Sequence, residues 1–71
     1  MSSSYSSLHI IKTLERNGFV FVKQKGSHAK YRRIEESSTI TVIVPTPRKE
    51  IPLGTFRSIL RQSKLNQVDF N

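Results

Sequence analysis

The spacing of apolar residues near the start of the chain predicts a helix. Apolar residues recur at helical spacing between Leu8 and Leu14, and the intervening polar residues fall on other sides, which indicates a helix over residues 7–17. Ser7 precedes the first of these apolar positions, so its hydroxyl is predicted to accept a hydrogen bond from a free N–H group of the new helix. Gly18 follows the helix, as glycine commonly does where a left-handed residue ends one.

Aromatic and β-branched runs after this helix predict three strands. The predicted strands cover residues 19–25, 28–34 and 39–44. Gly26-Ser27 between the first two has the residue types of a tight turn, and the polar residues 35–38 form the next hairpin loop.

The second strand alternates between two kinds of side chain. Ala29 and Tyr31 point to one face of the strand. His28, Lys30 and Arg32 point to the opposite face. The sequence therefore predicts a sheet with one core face and one charged face.

The last third of the chain predicts a second helix. Apolar residues again recur at helical spacing, and Pro52 suits a first helical turn, which indicates a helix from about residue 52 to residue 63. Asn66 and Asp69 have the spacing of a capping box, so residues 66–70 are predicted to form a final helical turn that docks a terminal phenylalanine.

The resulting order, α-β-β-β-α, predicts an α+β fold. A three-stranded antiparallel sheet with both helices on one face makes a two-layer sandwich and leaves the other face open. We expect a single domain over residues 7–71, preceded by a flexible serine-rich segment at residues 1–6.

Composition adds a strong positive charge. Among 71 residues, 12 are Lys or Arg and 5 are Asp or Glu, which gives a net charge of +7. Such a charge favours binding to polyanions, because basic side chains release the counterions that surround them. No apolar stretch approaches the roughly 20 residues that span a bilayer. The chain is therefore predicted to be a soluble, cytoplasmic protein that binds nucleic acid.

Metal and disulfide chemistry are not predicted. The chain has no cysteine, which excludes disulfides and cysteine-based zinc sites and is compatible with a reducing cytoplasm. Its two histidines, His9 and His28, are too few and too far apart in sequence for a structural metal site, and no cofactor is expected. His9, between apolar neighbours in the first helix, is predicted to be a structural residue.

His28 is the candidate catalytic residue. An imidazole takes or gives a proton near neutral pH, and RNA carries its own nucleophile, the 2′-hydroxyl, beside the scissile phosphorus. A plain surface histidine in a hairpin is the alternative interpretation. The cations expected to hold the RNA backbone are Lys23, Lys25, Lys30, Arg32, Arg33, Arg48 and Lys49.

Three further features have both a binding and a structural interpretation. Gly26 and Ser27 are candidates for a phosphate contact beside His28, although both are also ordinary turn residues. Gly54-Thr55 begins the second helix, where free N–H groups attract anions, but close helix packing explains the glycine equally well. Tyr31 is the aromatic residue whose hydroxyl can reach the sheet edge.

Several short motifs together resemble the HicA toxin family of small bacterial proteins. The similarity runs from about residue 7 to residue 70 and includes the segments Asn17-Gly18-Phe19, Lys25-Gly26-Ser27-His28, Pro45, Glu50-Ile51-Pro52, Gly54-Thr55-Phe56 and Ile59-Leu60-Arg61-Gln62. This resemblance implies a fold like that of double-stranded RNA-binding domains. It also implies a metal-independent ribonuclease that cuts messenger RNA and is held inactive by a HicB antitoxin.

The resemblance assigns the catalytic histidine to His28. Many relatives carry a second histidine just after the third strand, where this chain has Thr46-Pro47-Arg48. We therefore expect a toxin endoribonuclease that uses one histidine, with a HicB-like antitoxin covering the His28 face. A non-catalytic double-stranded RNA-binding module is the first alternative, because the element order supports it equally well. A DNA-binding or adaptor protein is the second.

Overall fold

The element order predicted from the sequence is confirmed. The computed structural model describes residues 5–71, and it contains two α-helices, three strands and a terminal 3₁₀ helix. Their bounds are α1 Ser7–Arg16, β1 Val20–Lys25, β2 His28–Ile34, β3 Thr39–Pro45, α2 Leu53–Ser63 and the 3₁₀ helix η1 Gln67–Phe70. Residues 1–4 of the predicted flexible segment lie outside the described residues.

The residue that caps the N-terminus of helix α1 is one position earlier than the sequence predicted. The Ser6 hydroxyl accepts the hydrogen bond from the His9 N–H at 3.0 Å. The predicted capping role of Ser7 is wrong, because Ser7 is the first helical residue and is only 2% exposed. Its hydroxyl instead donates to the Pro45 carbonyl at 2.9 Å, which ties the start of α1 to the end of β3.

The three strands form one antiparallel sheet in the order β1-β2-β3. The turn between β1 and β2 uses Gly26 with φ +59°, a left-handed conformation that glycine adopts at little cost. In β3, Ile40, Val42 and Val44 point to the same face as the core residues of β2.

Both helices pack on this one face, which confirms the predicted α+β sandwich. The buried core is formed by Ile10, Leu14, Phe19, Ala29, Tyr31, Ile40, Val42, Val44, Ile51, Phe56, Ile59 and Phe70. Among the described residues, no helix lies over the opposite face of the sheet, and we call that face the open face. Within residues 5–71, no helix is both long and apolar enough to pass through a bilayer.

The two ends of the described chain complete the core. Phe70 is fully buried, and its ring meets the Phe56 ring edge-on with 5.2 Å between centroids. The Tyr5 ring lies 5.0 Å from the same Phe56 ring, and its hydroxyl donates to the Asn71 side chain at 2.7 Å. The predicted capping box is present, because the Asp69 carboxylate accepts a hydrogen bond from the Asn66 N–H.

Candidate functional site

A shallow depression on the open face brings together the predicted catalytic histidine and three of the seven predicted cations. It has a volume of about 280 Å³ and is lined by Lys23, Lys25, His28, Lys30 and Ile43. We call it the lysine–histidine pocket. Four of its five residues were candidates from the sequence, and they come from the hairpin that β1 and β2 form.

Strand register explains why these side chains meet. Lys25 of β1 lies opposite His28 at the start of β2, and Lys23 lies opposite Lys30. Lys30 in turn lies opposite Ile43 of β3. Side chains that face each other across antiparallel strands have Cβ atoms about 4.5–5.5 Å apart, so each row brings its members into one site.

A β-bulge places the two β1 lysines on the open face. Phe21 pairs with Tyr31 on the core side, but the pairing then shifts, and Lys23 pairs with Lys30. The extra residue is Val22. Strict alternation through Val22 would have turned Lys23 toward the helices, and the bulge re-aims it toward the imidazole.

The charge of the lysine–histidine pocket is uncompensated by its own lining. Three lysines line it, and no carboxylate does. Like charges that face each other across strands destabilise a sheet, so the arrangement costs stability in the free protein. A bound anion removes that cost, which makes the pocket suited to a phosphate group.

His28 is exposed at the rim of this cluster, directly after the turn. The turn residues Gly26 and Ser27 adjoin the pocket without lining it. The Ser27 carbonyl accepts a hydrogen bond from the Thr46 N–H at 2.8 Å, so the turn is fastened to the segment after β3. This contact fixes the backbone just before His28 relative to the third strand.

The remaining predicted cations do not line the lysine–histidine pocket. Arg32 shares the open face with Lys30, one alternation further along β2. Arg48 and Lys49 are exposed in the connector that follows β3. The Arg48 carbonyl accepts a hydrogen bond from the Ser7 N–H at 2.9 Å, so the backbone of this connector is anchored to α1.

Arg33, which was also expected to hold RNA, does not lie on the open face with the other cations of β2. Alternation along β2 turns Arg33 to the core side, where its guanidinium lies 4.9 Å from the centre of the Phe19 ring. It donates to the Asn17 carbonyl at 2.9 Å and forms an ion pair with Glu35 at 2.8 Å. Arg33 therefore secures the turn between α1 and β1.

His9 has the structural role that the sequence predicted. Its ring stacks on Tyr5, with 4.8 Å between centroids and 10° between planes. Its Nε2 is hydrogen-bonded to the Phe70 carbonyl. The residue joins α1 to both ends of the described chain.

Tyr31 also lies away from the lysine–histidine pocket. It points to the core side of the sheet, where burial, together with the Glu15 carboxylate, raises the pKa of its phenol above the usual 10.0. Its ring packs edge-on against Phe21, which is 54% exposed.

Ile43 is the pocket residue that the sequence reasoning missed. The signal was present, because strict alternation from Ile40 puts Val42 and Val44 in the core and Ile43 on the open face. The sequence pattern alone did not reveal that Ile43 faces the other way, because Ile40, Val42, Ile43 and Val44 are all apolar. Within residues 5–71, no three His, Cys, Asp or Glu side chains gather as a metal site would require.

Most of the chain matches the model of a known protein family. The family model for the HicA toxin of bacterial toxin–antitoxin systems matches residues 9–65. That range includes every residue of the lysine–histidine pocket, and it leaves out Tyr5 and Phe70 at the two ends of the core. No curated protein matches the chain.

Proposed function

The chain belongs to the HicA toxin family of bacterial toxin–antitoxin systems, and from that premise we propose that it is an endoribonuclease that cleaves messenger RNA through His28. One observation carries the proposal: His28 is an exposed imidazole in a pocket with three lysines and no carboxylate. A phosphodiester can lie across this lining without meeting a like charge.

The proposed reaction uses the nucleophile that RNA supplies. The His28 imidazole takes the proton from the 2′-hydroxyl, whose oxygen attacks the adjacent phosphorus. The bond between phosphorus and the 5′ oxygen breaks, and that oxygen takes a proton from a lysine ammonium group or from water. The products are a 2′,3′-cyclic phosphate, or its opened form, and a 5′-hydroxyl end.

The lysines provide charge stabilisation in this scheme. Lys25 and Lys30 flank His28 in the register of the hairpin, and their ammonium groups neutralise the charge that builds on the phosphate oxygens. Arg32 extends the same positive surface along β2. Gly26 and Ser27 would contact the backbone at the turn, and Arg48 and Lys49 would contact it beyond β3.

Replacement of His28 tests the proposal. A well-placed proton-transfer group contributes about 10²–10⁴-fold to a rate, so we expect His28→Ala to lose about that much cleavage in the presence of a chelator. Folding should survive, because the side chain is exposed. Thr41→Ala is the matched control, since Thr41 is an exposed residue of the same sheet outside the pocket.

The outcomes separate the candidate functions. Cleavage by His28→Ala at the wild-type rate would contradict the proposed mechanism. RNA binding by the wild-type protein without any cleavage would instead support the non-catalytic RNA-binding module.

The role of the lysines has its own test. Binding to single-stranded RNA should weaken with salt, and log Kd should rise by about 0.7 per unit of log salt concentration for each phosphate neutralised. Replacing Lys23, Lys25 and Lys30 with Gln should therefore flatten the slope by about 2. Lys12→Gln on the exposed surface of α1 is the control, and a flattening there of about 0.7, the share expected of each pocket lysine, would refute a specific role for the pocket.

We also propose that a HicB-like antitoxin inhibits the enzyme by covering the His28 face. Charge supports this proposal, because an acidic partner surface would neutralise part of the net charge of +7. We expect the complex to weaken with salt and to protect His28 from imidazole-modifying reagents. Full reactivity of His28 in an inhibited complex would require another mode of inhibition.

A further inference from the structure

The lysine–histidine pocket has a different chemistry on its two sides. Lys23 of β1 and Lys30 of β2 form one row with Ile43 of β3. The row is therefore cationic toward β1 and apolar toward the edge strand β3. A nucleotide has the same division, since its phosphate is charged and the faces of its base are apolar.

The edge of β3 beside Ile43 carries an oriented amide. Gln62 on α2 accepts the hydrogen bond from the Ile43 N–H through its Oε1, at 3.0 Å. This contact fixes the carboxamide orientation, because the N–H can only meet the oxygen. The side chain is exposed, and within residues 5–71 its Nε2 makes no hydrogen bond. Two N–H donors therefore remain free at the edge of β3, beside the pocket residue Ile43.

We propose that Ile43 and Gln62 form a nucleobase subsite at the edge of β3, next to the phosphate site. Ile43 contacts the face of the base, and the Gln62 Nε2 donates to a carbonyl oxygen on its edge. Glutamine is among the side chains that read base edges through hydrogen bonds. This proposal rests on the proposed ribonuclease function and adds the part of the substrate that the site recognises.

The free donors predict a preference among the bases. Uracil, guanine and cytosine carry a carbonyl oxygen, whereas adenine accepts hydrogen bonds only through ring nitrogens, of which N1 and N7 adjoin its amino group. Glutamine pairs with adenine when its oxygen accepts from that amino group. The Gln62 Oε1 is instead held by the Ile43 N–H. The subsite should therefore disfavour adenine. Gln62→Glu keeps an oxygen for the Ile43 N–H and replaces both donors with an acceptor, so it should shift the preference toward bases with amino groups.

The first experiment maps cleavage positions. Wild-type protein, Gln62→Glu and Gln62→Ala cut one long RNA, and the new 5′ ends are sequenced. A single neutral hydrogen bond predicts a change of about three- to tenfold in the ratio of cleavage at carbonyl-bearing bases to cleavage at adenine. Gln67→Glu in η1 is the matched control. An unchanged distribution in both Gln62 variants would overturn the proposal.

The second experiment needs no cleavage and separates this proposal from the proposed function. Short 2′-deoxy oligonucleotides of adenine or of thymine, which has the carbonyl groups of uracil, are bound at fixed salt. Wild-type protein should prefer thymine by about three- to tenfold, and Gln62→Ala should lose that preference. Base-dependent binding that Gln62→Ala removes supports the subsite even if the protein cleaves no RNA. Equal binding of both oligonucleotides by the wild-type protein overturns it.

The apolar half of the subsite has a separate signature. Ile43→Ala should weaken binding of both oligonucleotides without changing the salt slope, because no charge is removed. Ile34→Ala is the matched control, since Ile34 is an exposed isoleucine on the same face outside the pocket. An equal loss of binding in the two variants would contradict the assignment of Ile43.

Discussion

The burial of Phe70 predicts that the last turn of the chain is needed for folding. Phe70 is fully buried between the Tyr5 and Phe56 rings, although it lies beyond the residues that the family model matches. Replacing a buried Phe with Ala costs about 3–5 kcal/mol. A chain of 71 residues has a total unfolding free energy of about 4–11 kcal/mol, so Phe70→Ala is expected to remove about a quarter of it or more.

A milder substitution leaves the protein folded enough for its free energy of unfolding to be measured. Phe70→Leu leaves a smaller void and should cost about 1–2 kcal/mol. Urea unfolding followed by circular dichroism measures it, and with an m-value of about 1 kcal/mol/M the midpoint should fall by about 1–2 M. Val68→Ala is the control on the same turn, because Val68 is 69% exposed.

The result that refutes this reasoning is specific. If Phe70→Ala shifts the midpoint no more than Val68→Ala, then η1 contributes no packing energy in solution. The core would then end with α2, and the contact between the two chain ends would be unimportant for stability.

Two further predictions concern the α1 side of the sheet. Gly18→Ala should destabilise the protein by about 1–2 kcal/mol, because Gly18 has φ +89° and a Cβ there would lie 3.2 Å from the Arg33 side chain; an unchanged melting temperature would contradict this. For Tyr31, the raised pKa contributes stability that is present below pH 10.0 and lost as pH rises through the folded-state pKa. The wild-type melting temperature should therefore fall more steeply above about pH 10 than that of Tyr31→Phe, and parallel curves would refute the raised pKa.

Local pattern was sufficient to predict the element order and the charged face of β2. In β2, core residues alternate with charged-face residues: Ala29 and Tyr31 with His28 and Lys30. This alternation involves only neighbouring residues, so it can be recognised without knowing the partner strands. Helix ends were less certain, since Ser6 and Ser7 have the same side chain. Their different roles depend on Pro45, which lies 38 residues after Ser7 and accepts its hydroxyl hydrogen bond.

The composition of the candidate site was only partly predictable. His28 and Lys30 follow from β2 alone, whereas the orientation of Lys23 depends on the bulge against that strand. The contact between Gln62 and Ile43 joins residues 19 apart in sequence and follows from where α2 lies along the sheet edge.

By itself, the sequence determined the fold class, the positive charge and the histidine beside the turn, because periodicity, composition and turn chemistry are local properties. Tertiary structure alone decided that Lys23 shares the histidine's face, that the Arg33 guanidinium packs against Phe19, and that Ile43 lines the same pocket and contacts Gln62. Each of these depends on strand register or on a contact between distant segments. The spacing of neighbouring residues does not determine such features.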